Sequence, residues 1–272
     1  ESPYPKLWLE KRAAEDTILK ITLDTPVAVK EKYTNYASIP TAKTENFTNH
    51  AGTVDDPYPI ETIEDWRYFQ NAVTSSTDQF YQKYISLKTS FDFDGVTGYI
   101  PVGQNTWTRF FYGTFDGNGH YFINLSCTTG YDSGILGGIG NGAVVRNLGL
   151  INGNIKNTSS SFSSAGGIVG YSRGTIENCY VINSELTGPA PAGGIAGVLT
   201  ATPADEDSLN KDEGIGITRN CFASAAVAAS AYEGSITGNF NGSTTIIANC
   251  CWDKDISSLP VAGKTANGTI TN

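Results

Sequence analysis

Residues 165–181 read AGGIVGYSRGTIENCYV, and residues 192–197 repeat the opening of that stretch as AGGIAG. Their shared core is Gly-Ile-x-Gly. It stands as GILG at 134–137, GIVG at 167–170 and GIAG at 194–197, with a degraded copy, SITG, at 235–238. A second signature is an asparagine inside a short apolar strand: INLSC, RNLGL, ENCYV, RNCFA and ANCCW, centred on Asn124, Asn147, Asn178, Asn220 and Asn249. The steps between these asparagines are 23, 31, 42 and 29 residues. The longest step contains LTATPADEDSLNKDE at 199–213, acidic and unlike the rest, which reads as an inserted loop. Repeats of this length cannot bury an apolar face singly and do so by stacking on their neighbours.

Aligned on their asparagines, the copies show what each column does. Two residues before stand Phe122, Val145, Ile176, Thr218 and Ile247. One after stand Leu125, Leu148, Cys179, Cys221 and Cys250, and three after stand Cys127, Leu150, Val181, Ala223 and Trp252. Simple strand alternation would put positions −2, 0 and +2 on one face. The apolar set is −2, +1 and +3, so the phase slips at the asparagine. A bend there explains the slip, because Asn is the non-glycine residue best suited to left-handed backbone. Stacked copies then form an asparagine ladder at one corner of a parallel β-helix.

The same columns point Cys127, Cys179, Cys221 and Cys250 inward, where a thiol packs as a small hydrophobe. Cys251 points outward. Five cysteines without a CxxC pair suggest neither a disulfide framework nor a zinc site, although one disulfide between adjacent coils stays open.

The flanks differ from the repeats. Residues 1–50 read as an N-terminal extension, irregular or with short strands, and the turn formers of GTVDDPYP at 52–59 mark the boundary with a second unit, 51–272. Thr62 and Asp65 form a capping-box pattern, and Ile63, Trp66, Phe69 and Val73 follow at helical spacing, predicting a helix near 62–73. A solenoid end exposes unpaired backbone, so this helix is expected to cap the first coil and 253–272 to close the last. YISL at 84–87 and YIPV at 99–102 read as short strands. Thirty glycines with 14 tyrosines and 12 phenylalanines fit many short strands joined by tight turns.

A net charge of −9 with no basic cluster argues against nucleic acid and anionic membranes as partners. No apolar run is long enough to span a bilayer.

GTFDGNGHYFINL at 113–125, together with the two stretches quoted first, resembles the GLUG-motif β-helix proteins of bacterial surfaces. The resemblance covers roughly 52–252. It implies an all-β, right-handed single-stranded parallel β-helix, pectate-lyase-like in shape, in an extracellular or cell-surface bacterial protein. It implies adhesin-like binding or structural display, without an activity of the repeats' own.

Polysaccharide-active β-helices use clustered carboxylates. The acids and bases to consider here are Asp92, Asp94, Asp116, Asp132 and His120. Asp116-Gly117-Asn118-Gly119 reads first as a tight turn. Asp92-Phe93-Asp94-Gly95 could offer oxygens to calcium but lacks the remaining ligands of a calcium loop. No catalytic residue, metal ligand or cofactor is therefore assigned. For binding, Tyr180 and Phe222 fall at matching outward positions and could form an aromatic platform for a sugar. The expectation is a non-enzymatic surface module whose partner is a glycan or a cell-surface protein. A polysaccharide lyase or hydrolase and a plain spacer are the alternatives.

Overall fold

The computed structural model describes residues 21–103, 109–159, 163–201, 214–242, 244–266 and 268–271. Short strands separated by asparagine and glycine turns coil the chain so that each turn lies on the previous one, and the strand pairings are parallel throughout. The architecture is the expected all-β parallel solenoid.

A single coil shows the path. Val144–Arg146 lies in an eight-stranded sheet, sheet I, and the chain bends at Asn147 into Gly149–Ile151 of a nine-stranded sheet, sheet II. It bends again at Asn152 into Asn154–Asn157, also in sheet II. After Ala165–Gly166, in a three-stranded sheet, and Val169–Ser172, in a five-stranded sheet III, it re-enters sheet I at Thr175–Glu177.

The columns facing the axis are continuous. In sheet I they are Ile85, Phe115, Val145, Ile176, Thr218 and Ile247, all buried. In sheet II they are Phe91, Phe122, Leu150, Val181, Ala223 and Trp252. Phe122 therefore stands in the Leu150 column and not in the Val145 column, and Asn124 is not the partner of Asn147. The cause lies in the coil that carries Thr114–Ile123. Gly117–His120 bridges the two sheets there, where Asn147 and Leu148 suffice in the next coil.

There are consequently two asparagine corners. At the first, Asn118, Asn147, Asn178, Asn220 and Asn249 all hold φ near +50°. Asn147 donates to Asp116 Oδ1 at 2.9 Å, and Asn118 donates to Ser86 Oγ and the Leu87 carbonyl. At the second, Asn183 donates to Asn152 (2.7 Å), Asn152 to Asn124 (3.3 Å) and Asn124 to Asp92 (2.8 Å). Asn183 has no counterpart in the next coil, because a register shift at Ile182/Ser184 lets Phe222–Ala229 run straight.

All five cysteines carry free thiols, and all but Cys251 are buried. Cys179, Cys221 and Cys250 stack just inside the first corner, Cys221 in hydrogen-bond contact with each of the other two. Cys127 lies in a different column, with Ile155, Leu186 and Val227.

A short helix, Glu45–Thr48 (α1), precedes the predicted one, Ile63–Thr74 (α2), whose Thr62–Asp65 capping box is formed in both directions. α2 buries Trp66 edge-on against Phe115 and Phe122, and Phe69 edge-on against Phe111. Phe115 and Phe122 meet Trp66 at positions where the next coil carries Val145 and Leu150. Residues ahead of position 50 share this core: Val29, Tyr36, Ile39 and Phe47 are buried in it, and Val27–Ala28 pairs with Phe91–Asp92.

Tyr84–Leu87 is a strand, as expected. Tyr99–Val102 is not: Val102 forms only an isolated bridge to Leu136, since Pro101 has no N–H for a ladder. Within the expected inserted loop, Leu199 and Thr200 belong to the strand Ala196–Thr200, and 202–213 lies outside the described residues. The stretch expected to close the C-terminal end is itself coil. Ala262–Ala266 pairs with sheet III and Thr269–Thr271 with sheet I.

Candidate functional site

The acids singled out in the sequence do not converge. Asp92 lies at the second corner, accepting from Asn124 and from the Asp94 amide (2.9 Å), while Asp94 pairs with Lys30. Asp116 points outward from sheet I, with Arg146 Nε at 2.9 Å and Asn147 at the other oxygen. Its turn is formed, with Asn118 and Gly119 at positive φ and the His120 amide donating to the Gly117 carbonyl at 2.8 Å. Asp132 is fully buried ahead of the first Gly-Ile-x-Gly copy, and burial pushes its carboxyl up to about 7 against the hydrogen bonding from Ser164. Among the described residues, no group of three His, Cys, Asp or Glu could hold a metal ion.

His120 does find a carboxylate, one that no motif in the sequence pairs with it. Its Nδ1 lies 3.0 Å from Asp24 Oδ2, and Asp24 also accepts from the Ser90 amide (2.8 Å) and hydroxyl (2.6 Å). Burial alone would raise the Asp24 carboxyl, but the two Ser90 bonds and the charge of His120 outweigh it and hold the group low. Ser90 and His120 bond to the same carboxylate, and the Tyr121 amide donates to Ser90 Oγ at 3.1 Å. A nucleophilic serine would need its hydrogen bond to the imidazole itself. The cluster instead pins a strap, with Thr22 Oγ1 donating to the Asn118 carbonyl and Tyr121 Oη to the Asp24 carbonyl.

Tyr180 and Phe222 are in-register neighbours, in line with Gly149 and Cys251. Ser126 is not in that line; it pairs with Asn154. Tyr180 offers no exposed platform, because it is 0% accessible. Its ring lies over Gly149, where a Cβ would sit 2.2 Å from Tyr180 Cζ. Phe222 is half-buried.

The cavity lies elsewhere, on the outer side of sheet I near its first coils. It measures about 380 Å³ and is lined by Tyr81, Gln82, Tyr84, Tyr112, Thr114 and Asn141, together with Gly113 and Gly142. Its size is at the lower end of the range for small-ligand sites. Tyr84 and Thr114 are adjacent, in-register residues on the outer face of sheet I. The wall carrying Tyr81 and Gln82 is a loop in left-handed backbone, with Phe80 at φ 54° and Gln82 at φ 56°. Two backbone bonds hold it in that conformation, Lys83 N–H to the Phe80 carbonyl and Thr114 N–H to the Lys83 carbonyl. A third, from the Asp78 carboxylate, accepts the Phe80 amide. Strained backbone held by its surroundings is a mark of functional sites. Tyr112 is fixed by packing over the next coil at Gly140, where a Cβ would meet its ring at 2.1 Å.

The lining contains no Asp, Glu, Lys, Arg or His. The nearby Lys83 donates its ammonium to the Ala51 carbonyl at 2.9 Å. Among the described residues, the side chains of Tyr81, Gln82, Tyr84 and Thr114 have no hydrogen-bond partner. Nothing in the 23- to 42-residue repeat pattern marks this cleft. The cue was the tyrosine spacing of YQKY at 81–84 with FFYGT at 110–114, which meet only once the coil closes.

Fold and cleft together define a parallel β-solenoid with a tyrosine-lined cleft on the outer side of sheet I. No family model matches the chain. It is 29% identical over 160 residues to halomucin of Haloquadratum walsbyi, a match covering 55% of this chain and 2% of that protein. It is 31% identical over 153 residues to a candidate Gly-rich membrane protein of Evansella cellulosilytica, covering 55% of this chain and 17% of that one. The chain thus corresponds to a small part of either relative. Among solved structures it is similar to a candidate immunoglobulin A1 protease from Bacteroides ovatus, with a TM-score of 0.59 and 24% identity over 74% of this chain and 58% of that one. That likeness is one of fold.

Proposed function

We propose that this chain is a non-enzymatic β-solenoid module of a cell-surface or secreted protein, holding a ligand in the tyrosine-lined cleft as an adhesin-type module does. The observation that carries the reading is the cleft itself: open, built on in-register strands, and lined by side chains able to hydrogen-bond and stack, with no carboxylate, imidazole or ammonium beside its tyrosines to complete an acid–base pair or hold a metal. Support comes from the separation of the carboxylates, each engaged with its own partner. The names of the relatives, a halomucin and a membrane protein, fit a location at or beyond the cell envelope. So does the repeat signature.

The test uses the whole chain, fluorescently labelled, on immobilised mucin, bacterial cell walls and extracellular-matrix proteins, beside a Thr114→Arg variant. Thr114 is half-buried and faces the cleft, so an arginine there fills it without entering the core. Retention on one of these surfaces that the variant loses supports the reading. Retention unchanged in the variant, retention on none of them, or release of new reducing ends from a bound polysaccharide overturns it.

A further inference from the structure

We infer that the cleft selects an uncharged saccharide, recognised as a single terminal or branch sugar and not as an acidic glycan or an extended chain. The inference rests on the proposed binding function and names its ligand class.

Three features converge. Aromatic surface is present in a form a ligand can reach: of the lining tyrosines, Tyr81 is 40% exposed and Tyr84 is half-buried. An aromatic face suits the C–H face of a pyranose, while the phenol hydroxyls meet the polar edge of the sugar. Hydrogen-bonding capacity is the second feature. Gln82 supplies an amide that both donates and accepts, and Thr114 and Tyr84 supply hydroxyls of either polarity. A purely apolar ligand would displace water from these groups and leave them unpaired. A sugar bears donors and acceptors around its whole rim and can satisfy them together.

Charge is the third feature and decides between sugars. An acidic sugar or phosphate entering the cleft would lose water and meet no cation, since the lining has none and Lys83 is turned to Ala51. It would also approach a chain of net charge −9. A cationic group would find no carboxylate. The ligand that loses least on entry is neutral. The limited volume, about 380 Å³, favours one ring seated at the mouth over a polysaccharide threaded through.

The left-handed conformation at Gln82 gives the loop a role in this recognition. It turns Tyr81 and Gln82, adjacent in sequence, into the lining of the same cavity. Along an extended strand, neighbours face opposite ways.

The test is a titration of the full chain, by ligand-observed NMR and calorimetry, with methyl glycosides of glucose, galactose, mannose and N-acetylglucosamine. Galacturonic acid and N-acetylneuraminic acid serve as acidic probes. At least one neutral glycoside is expected to bind, more tightly than either acid. Tyr81→Ala removes an exposed ring without touching the core and should weaken binding about tenfold, the upper end for one aromatic contact. Thr114→Arg should abolish it. Tighter binding of an acidic sugar overturns the inference, as does neutral-sugar binding unchanged in both variants. If no neutral glycoside binds while Thr114→Arg still loses surface retention, the ligand is not a sugar: the inference fails and the binding function stands. If surface retention fails as well, both fall.

Discussion

Replacing Asp132 by asparagine should make the protein more stable at neutral pH and less stable in acid. The side chain is fully buried, and its Oδ2 has no partner among the described residues. Ser164 Oγ lies 2.7 Å from Asp132 Oδ1 and 2.7 Å from the Gly170 carbonyl. A hydroxyl has one proton and a carbonyl can only accept, so both contacts are satisfied when a protonated Asp132 donates to Ser164 and Ser164 donates to Gly170. Burial accordingly pushes the carboxyl up to about 7, from an ordinary 3.8. Below pH 3.8 both folded and unfolded chains hold the proton, and the group is neutral in its effect. Between there and pH 7 the unfolded chain releases it first, so the folded state binds more protons and stability falls as pH rises. At 1.36 kcal/mol per pH unit, the loss reaches about 4 kcal/mol by pH 8. Asparagine never ionises and escapes that loss. It leaves a buried N–H imperfectly paired, at a cost of about 1–3 kcal/mol. The difference between variant and parent should therefore grow in the variant's favour by about 4 kcal/mol from pH 4 to pH 8. It starts at or below zero in acid. Urea unfolding of both proteins at each pH isolates this term, because the other titrating groups are common to the two. A difference that stays flat across the range would refute the reasoning, as would a carboxyl carbon-13 titration of Asp132 near 3.8.

Further outcomes test the corners and the core. Asn147→Ala should cost about 1 kcal/mol because alanine lacks the short polar side chain that eases asparagine into left-handed backbone, here at φ 53°. It should lose a further amount of about 1.5 kcal/mol with the bond to Asp116, and Asn147→Gly should recover the first part but not the second; denaturant midpoints separate them. Gly149→Ala should destabilise by about 1–3 kcal/mol through collision with Tyr180, and the penalty should shrink in a Tyr180→Ala background, a coupling that a double-mutant cycle reads directly. A chromogenic disulfide reagent should titrate one thiol, Cys251, in the native protein and five in denaturant, since burial raises the Cys127 thiol to about 12 and holds Cys221 and, together with its bond to Cys221, Cys250 well above the ordinary value. Asp24→Asn should remove a stabilising term that is present above the ordinary carboxylate range and lost as pH falls through it, because the folded carboxyl is held low; amide hydrogen exchange around Thr22 and His120 should rise in the variant.

The repeat signatures carried the fold. Gly-Ile-x-Gly marks a bend in each coil, and the isoleucines of all four copies, Ile135, Ile168, Ile195 and Ile236, are fully buried. The asparagine strands mark a corner whose left-handed backbone few other residues accept, and the capping box placed the helix to within a residue. A second corner was also legible. Ile123-Asn124, Ile151-Asn152 and Ile182-Asn183 repeat an Ile-Asn pair, but aligning Asn124 with Asn147 hid it. Only pairing between coils could correct that, because Gly117–His120 lengthens one bridge and slips the register, and no local preference records the length of the neighbouring coil's bridge.

The candidate site depended on tertiary structure almost entirely. Periodicity says that Tyr180 points away from the axis, and it does, yet a glycine in the neighbouring coil lets the ring lie flat and close itself to solvent. Exposure is a property of what the adjacent coil presents. Asp24 and His120 meet across 96 residues, and Tyr81 reaches the same cavity as Thr114 and Asn141 because one coil stacks on the next. The sequence by itself determined the period, the corners and the inward columns, since each follows from the backbone and side-chain preferences of one repeat. Which outward residues meet, which are covered and where a cavity opens was decided by the stacking of coils, since those contacts join residues about 30 apart that share no local signal.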